Sequence, residues 1–177
     1  NLFAGLNILM TRKIRPGDYI RLETGQEGVV CDITWRNTTI GAPDNNQIVV
    51  PNGKLAAAIY TNTNLPEKEM GLFLTVTVAF DNDLAVAERV TLEVARAVMA
   101  VPERAIPGFE PTVRVGAFAD LGVQFAVSLR VREYRDQYAL KGDFFKRLHE
   151  RYRAEGIKFA ELPPAARSVQ AGIKARE

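Results

Sequence analysis

At 177 residues the chain is long enough for one ordinary domain or two small ones. With 47% hydrophobic and 25% charged residues the composition is globular and excludes general disorder. The net charge of +2 argues against a dedicated nucleic-acid binder, and the lone Cys31 excludes a disulfide framework and fits a reducing compartment.

In chain order, residues 1–12 read as the end of an apolar helix. Leu2, Leu6 and Leu9 or Met10 recur at helical spacing, Arg12 and Lys13 follow, and Pro16-Gly17 stops the helix. No run of about 18 apolar residues occurs, so nothing here is expected to span a bilayer unaided. The apolar opening lacks a basic n-region and a cleavage site, which excludes a signal peptide. Because the sequence opens on Asn1 instead of Met, it is expected to be a piece of a longer protein, with the missing part upstream.

From Gly17 to Asn62 the runs are short and turn-bounded: Tyr19–Leu22, Gly28–Ile33, Arg36–Ile40 and Gln47–Val50, with a last strand at Ile59–Asn62. Such close spacing predicts a small, strongly bent barrel, with Tyr19 and Trp35 in its core. Pro51-Asn52-Gly53 breaks the fourth strand. Asn52 is expected to N-cap a helical turn over Lys54–Ala58, because Leu55-Ala56-Ala57-Ala58 favours helix over a hairpin. Thr63-Asn64-Leu65-Pro66 is a polar, Pro-containing joint, so the barrel domain is placed at 13–65.

Beyond Met70 the periodicity predicts a strand with Leu72, Leu74, Val76, Val78 and Phe80 on one face. Asp81-Asn82-Asp83 caps a helix with Leu84, Ala87, Val90, Val94, Ala97, Val98 and Val101 on one side. Two alternating strands follow, around Val113–Ala117 and Val123–Val131, turning at Asp120-Leu121-Gly122. A helix over Gln137–Glu155, with Tyr138, Lys141, Phe145, Leu148 and Tyr152 on its face, stops at Gly156, and Ile157–Leu162 reads as a last strand. The order β-α-β-β-α-β is that of a ferredoxin-like split βαβ domain, placed at 66–163, with a tail over 164–177.

Four motifs, Asn1-Leu2-Phe3-Ala4-Gly5, Arg15-Pro16-Gly17-Asp18-Tyr19-Ile20, Val49-Val50-Pro51-Asn52-Gly53-Lys54 and Val78-Ala79-Phe80-Asp81-Asn82-Asp83, make the chain resemble the small-conductance mechanosensitive channel family from Asn1 to about Phe159. The expected fold class is α+β: a small SH3/Sm-like β-barrel, then the ferredoxin-like domain, preceded by what the resemblance implies is the end of a pore-lining helix. The resemblance implies a hollow cytoplasmic cage with side portals below an inner membrane, usually a homo-oligomer of seven subunits. The bilayer would be reached through upstream transmembrane segments and the basic helix end. Ions and small solutes would pass, and no nucleic acid would be bound. Gly156-Ile157-Lys158-Phe159 runs into Ala160-Glu161-Leu162-Pro163-Pro164 where the family often has Pro-aromatic-Pro, which puts a terminal barrel at the cage floor in doubt.

The candidate gating and membrane-interface residues are Asn1, Gly5, Arg12, Lys13 and Arg15. Gly5 costs about 1 kcal/mol relative to Ala in a helix, so it is either a hinge or a site of close packing. Asn1 matches a family position against lipid-facing helices, or is a solvent-exposed end. Arg12, Lys13 and Arg15 suit anionic headgroups at about 1 kcal/mol each. Pro16, Gly17, Pro51, Asn52 and Gly53 are read as structural turns.

No catalytic, cofactor-binding or metal-ligating pattern is found. Cys31 has no His at a catalytic spacing, Ser128 and Ser168 sit in no nucleophile elbow, and His149 lies on a charged helix face. The glycines show no phosphate-binding spacing. Two alternatives to a channel part remain: an Sm- or SH3-like module binding RNA or peptide, and a small ferredoxin-like hydrolase.

Overall fold

The computed structural model describes residues 13–104 and 106–161. The expected helix end over 1–12, including Asn1, Gly5 and Arg12, and the tail over 164–177 lie outside them. The chain divides into two compact units, the first ending at Met70 and the second starting at Gly71.

The first unit is one antiparallel five-stranded sheet. Its strands are β1 (Tyr19–Leu22), β2 (Glu27–Ile33), β3 (Asn37–Gly41), β4 (Gln47–Pro51) and β5 (Tyr60–Asn62), in the order β4-β3-β2-β1-β5. A short helix, α1 (Asn52–Ala57), joins the two outer strands. Ile14, Ile20, Leu22, Val30, Ile40 and Leu55 form the core, with Ile33, Ile48, Val50 and Tyr60 packed against it. Gly28 is required where β2 meets β3. A Cβ there would lie 2.2 Å from the Gly41 carbonyl oxygen, a distance no side chain tolerates.

The second unit has β6 (Met70–Val78), α2 (Leu84–Met99), β7 (Thr112–Ala119), β8 (Gly122–Val131) and α3 (Asp136–Glu155), with sheet order β6-β8-β7. Strand alternation buries Leu72, Leu74, Val76 and Val78 on β6 and Val123, Phe125, Val127, Leu129 and Val131 on β8. Asp83 caps α2, its Oδ1 accepting from the Ala85 and Val86 amides at 2.9 and 3.1 Å. Gly156, left-handed at φ +70°, closes α3.

Four expectations for this unit need correction. Ala97, expected on the buried face of α2, is exposed, while Ala95 is buried. The expected last strand, Ile157–Leu162, is reduced to one antiparallel bridge, Val78 to Phe159, flanked by the Ala79 amide donating to the Lys158 carbonyl at 3.0 Å and the Ala160 amide to the Thr77 carbonyl at 2.9 Å. The stripe buried by α3 is Leu140, Phe144, Leu148 and Tyr152, whereas Tyr138 is 62% exposed and Lys141 is exposed. Both sets fit helical spacing; the one spaced four apart keeps every position apolar or aromatic, so it wins the core. Phe80, expected on the buried face of β6, lies past the strand's end and is exposed, stacked on Phe118 with centroids 6.5 Å apart.

Candidate functional site

The strand directions of the first unit sort its loops into two ends. β1 pairs antiparallel with β2 and β5, and β3 with β2 and β4. Lys13–Asp18, Thr34–Asn37, Pro51–Lys54 and Asn62–Asn64 therefore share the end at which the chain enters the barrel. The turns over residues 23–26 and 42–46 share the opposite end.

At the entrance, Ile14 is plugged into the core at 3% exposure. Pro16 and Gly17 turn the chain so that the Asp18 amide donates to the Arg15 carbonyl at 3.0 Å and the Gly17 amide to the Val30 carbonyl at 2.8 Å. Gly17 takes φ +93°, a conformation that favours glycine. The buried Asp18 carboxylate accepts from the Arg15 amide at 2.9 Å and from Asn62 Nδ2 at 2.8 Å. Asn62 Nδ2 also donates to the Lys13 carbonyl at 2.9 Å. Asn64 continues the chain of bonds: its amide donates to Asn62 Oδ1 at 3.0 Å, and its Oδ1 accepts from the Tyr19 amide at 3.1 Å. Backbone just past Arg12 is thus fastened to both β1 and β5.

A second polar pair sits on the same end. Asn52, 1% exposed, does not cap α1 with its side chain; Pro51 occupies the N-cap position and the helix begins at Asn52 itself. The Asn52 side chain points into the barrel instead. Its Oδ1 accepts from Thr38 Oγ1 at 2.9 Å and its Nδ2 donates to the Thr34 carbonyl at 2.8 Å. Its amide donates to the Arg36 carbonyl at 2.8 Å. A buried hydroxyl with no other partner outbids an amide cap that water can satisfy. Pro51 ends β4 opposite Asn37, and Gly53 lies half-buried within α1.

Of the sequence-derived candidates, the structure brings Lys13, Arg15, Pro16, Gly17, Pro51, Asn52 and Gly53 to this one end. Lys13 and Arg15 are exposed, as are Arg36 and Lys54 beside them. Trp35, expected in the core, is 57% exposed at the tip of the β2–β3 turn, while Tyr19 is buried as expected. Sequence reasoning missed Asp18, Thr38, Asn62 and Asn64. The visible signal was Asn62-Thr63-Asn64, polar residues two apart at a strand end, which read only as a joint.

Elsewhere the chemistry is spent on structure. Among the described residues no group of three His, Cys, Asp or Glu side chains is placed to hold a metal ion. Cys31 is exposed, and His149 stacks on Phe159 with ring centroids 6.2 Å apart. A groove of about 570 Å³ between α2 and α3 is lined by Glu93, Arg147 and Arg151, each already in an ion pair. No helix among the described residues is long and apolar enough to cross a membrane.

Comparison with known proteins gives two family matches in tandem. Residues 1–65 match the model described as mechanosensitive ion channel, beta-domain, and residues 73–159 the one described as mechanosensitive ion channel MscS, C-terminal. The small-conductance mechanosensitive channel of Edwardsiella ictaluri is 32% identical over 127 residues, covering 72% of this chain and 42% of that protein. The large-conductance mechanosensitive channel MscMJLR of Methanocaldococcus jannaschii is 47% identical over 62 residues, covering 35% of this chain and 17% of its own length. A crystal structure of Helicobacter pylori MscS in a closed state superposes with a TM-score of 0.77 over 92% of this chain and 62% of that one, at 17% identity, and so supports the fold. The chain spans less than half the length of these curated relatives.

Proposed function

The chain belongs to the MscS family of mechanosensitive channels, and from that premise we propose that it forms the cytoplasmic vestibule of a channel that opens under membrane tension and releases solutes in osmotic down-shock. The family is one of membrane channels, and the chain is no enzyme. The observation that carries the reading is the tandem order of the two matched domains, entered from an apolar stretch through a fastened turn at Lys13–Asp18.

In this reading a longer protein supplies transmembrane segments ahead of Asn1, and residues 1–12 end the pore-lining helix. Seven copies close a ring below the inner membrane, on its cytoplasmic side, and ions and small solutes pass through. Arg12, Lys13 and Arg15 lie at the headgroups. Tension favours whichever state occupies more membrane area, and only that free-energy difference moves the equilibrium. The Lys13–Asp18–Asn62 bonds would make the barrel follow the helix when it tilts, because a fastened turn transmits displacement that a loose linker would absorb.

The test is patch-clamp recording of the full-length protein reconstituted in liposomes, with light scattering of the same preparation in detergent. Stepwise conductance evoked by suction, from a particle of seven subunits, is the expected result. Incorporated protein that stays silent up to membrane rupture would reject the channel, and a monomer or dimer would reject the ring.

A further inference from the structure

The barrel is electrically polarised along its strands. Lys13, Arg15, Arg36 and Lys54 are exposed at the entrance end, against the exposed Asp32 and the buried Asp18, while Glu23, Glu27 and Asp44 lie toward the other with the cation Arg21. Among the described residues, no ion pair involves Lys13, Arg36 or Lys54.

At the basic end, in the β2–β3 turn, stands Trp35, a large side chain that folding leaves 57% exposed. The turn that carries it is closely held. Thr34 Oγ1 accepts from the Arg36 and Asn37 amides at 3.3 and 3.0 Å, and the Thr34 amide donates to the Asn37 carbonyl at 2.9 Å. Asn52 grips the same turn from below through the Thr34 and Arg36 carbonyls. The Arg36 guanidinium lies over the indole, 5.2 Å from the ring centroid. Exposure of Trp35 is therefore a fixed presentation of an aromatic ring and a cation together.

We propose that this end of the barrel, through Trp35, Arg36 and Lys54, is itself a contact surface for the anionic headgroups of a bilayer leaflet. An amphipathic indole favours the headgroup region, and each nearby cation adds attraction to an anionic leaflet. Continuity supports a bilayer as the occupant: the chain joins the barrel at Lys13, on this end, directly after the apolar sequence of residues 1–10, so a membrane holding that sequence would face Trp35. The inference rests on the channel reading for the nearness of that bilayer, and adds that the barrel touches it.

Trp35 is the only tryptophan of the 177-residue chain, so its fluorescence reports this surface alone. The whole chain is titrated with vesicles of equal parts phosphatidylglycerol and phosphatidylcholine, and with vesicles of phosphatidylcholine only. With the anionic vesicles, Trp35 emission moves to shorter wavelength and acrylamide quenching falls; with the neutral ones it does so only weakly. The double variant Arg36→Gln/Lys54→Gln, its fold checked by circular dichroism, partitions about thirtyfold more weakly, the product of two cations near an anionic surface. If the chain sediments with vesicles while Trp35 emission stays unchanged, the apolar residues 1–10 alone hold the membrane. The proposal is then overturned with the channel reading intact. Absence of any vesicle association overturns it too, leaving the channel reading to the tension measurement. A shift of Trp35 with an oligothymidylate but not with vesicles assigns the surface to nucleic acid and likewise overturns it.

Discussion

Asp18 and Asn62 stand 44 residues apart in sequence and 2.8 Å apart in space, the Asn62 amide donating to the Asp18 carboxylate at the mouth of the barrel. The same nitrogen reaches the Lys13 carbonyl, so one side chain ties the incoming chain to both neighbouring strands. Asn62→Ala removes both bonds and leaves a buried carboxylate with the Arg15 amide as its remaining described partner. A loss of about 2 kcal/mol is expected in urea unfolding of the whole chain. Asn62→Asp sets a second carboxylate against the first and is expected to cost more at neutral pH, recovering part of the loss as pH falls through the carboxylate range. An Asn62→Ala variant as stable as the parent would remove the clamp from the account.

Asn52→Ala is expected to destabilise the first unit by about 2–3 kcal/mol, well beyond the ~1 kcal/mol of a lost cap. The larger figure follows because Thr38 Oγ1, fully buried, loses its Asn52 partner. Thr38→Val in the Asn52→Ala background should recover part of the loss, since both partners of the bond are then gone. Denaturation of Asn52→Ala, Thr38→Val and the double variant, read as a double-mutant cycle, checks this.

Tyr152 and Thr91 make an ordered pair inside the second unit. The Thr91 hydroxyl donates to the Ala87 carbonyl at 2.6 Å, so at 2.5 Å it accepts from the Tyr152 hydroxyl. Burial pushes the Tyr152 phenol above its usual 10.0, with the Thr91 bond acting in the opposite direction. Thr91→Val strands a buried O–H donor and is expected to cost about 2 kcal/mol, whereas Tyr152→Phe removes the donor itself and should cost about 1 kcal/mol. Thermal unfolding of the two variants must rank them in that order.

Asp143 gives a pH dependence. Arg104 and then Arg147 hydrogen-bond its carboxylate at 2.6 and 3.0 Å and hold its pKa below the usual 3.8. A carboxyl depressed in the folded state stabilises above its unfolded pKa, and the contribution fades as pH falls through the folded value. The second unit should therefore lose stability below about pH 4. Asp143→Asn should flatten that slope at a cost near neutrality of no more than about 1 kcal/mol, because the pair is solvent-screened. Unfolding free energies measured from pH 7 down to pH 2 test both.

For gating, Gly5→Ala would stiffen the apolar helix expected from the sequence over residues 1–12, at its candidate hinge. Closing or inactivation kinetics of the full-length channel should change more than its conductance. Recordings that match the parent in threshold and kinetics would leave Gly5 a close-packing residue.

Strand alternation was readable because a half-buried strand writes its environment every second residue, as in Val123 to Val131, all five of whose odd positions are buried. The helix α3 was readable as a helix but not as a face, since Phe144 and Phe145 are neighbours and only the sheet chooses between them. Asn52 misled because the side chain that suits an N-cap also suits a buried pair, and its partner Thr38 lies 14 residues away. Trp35 misled because size and apolarity favour a core, while the Thr34 turn turns its ring outward. The entrance clamp joins residues 13–18 to 62–64, a pairing that no local pattern encodes.

Asp81-Asn82-Asp83 divides three tasks among adjacent residues. Asp83 starts α2, Asn82 donates to the Lys158 carbonyl at 2.8 Å and accepts from its amide at 2.9 Å, and Asp81 pairs with Lys158 Nζ at 2.6 Å. The start of the first long helix and the return of the chain after the second are thus knotted in one turn, 76 residues apart in sequence. Whatever loosens that turn frays both places together, so amide exchange at Ala85 and at Lys158 should report a single opening event.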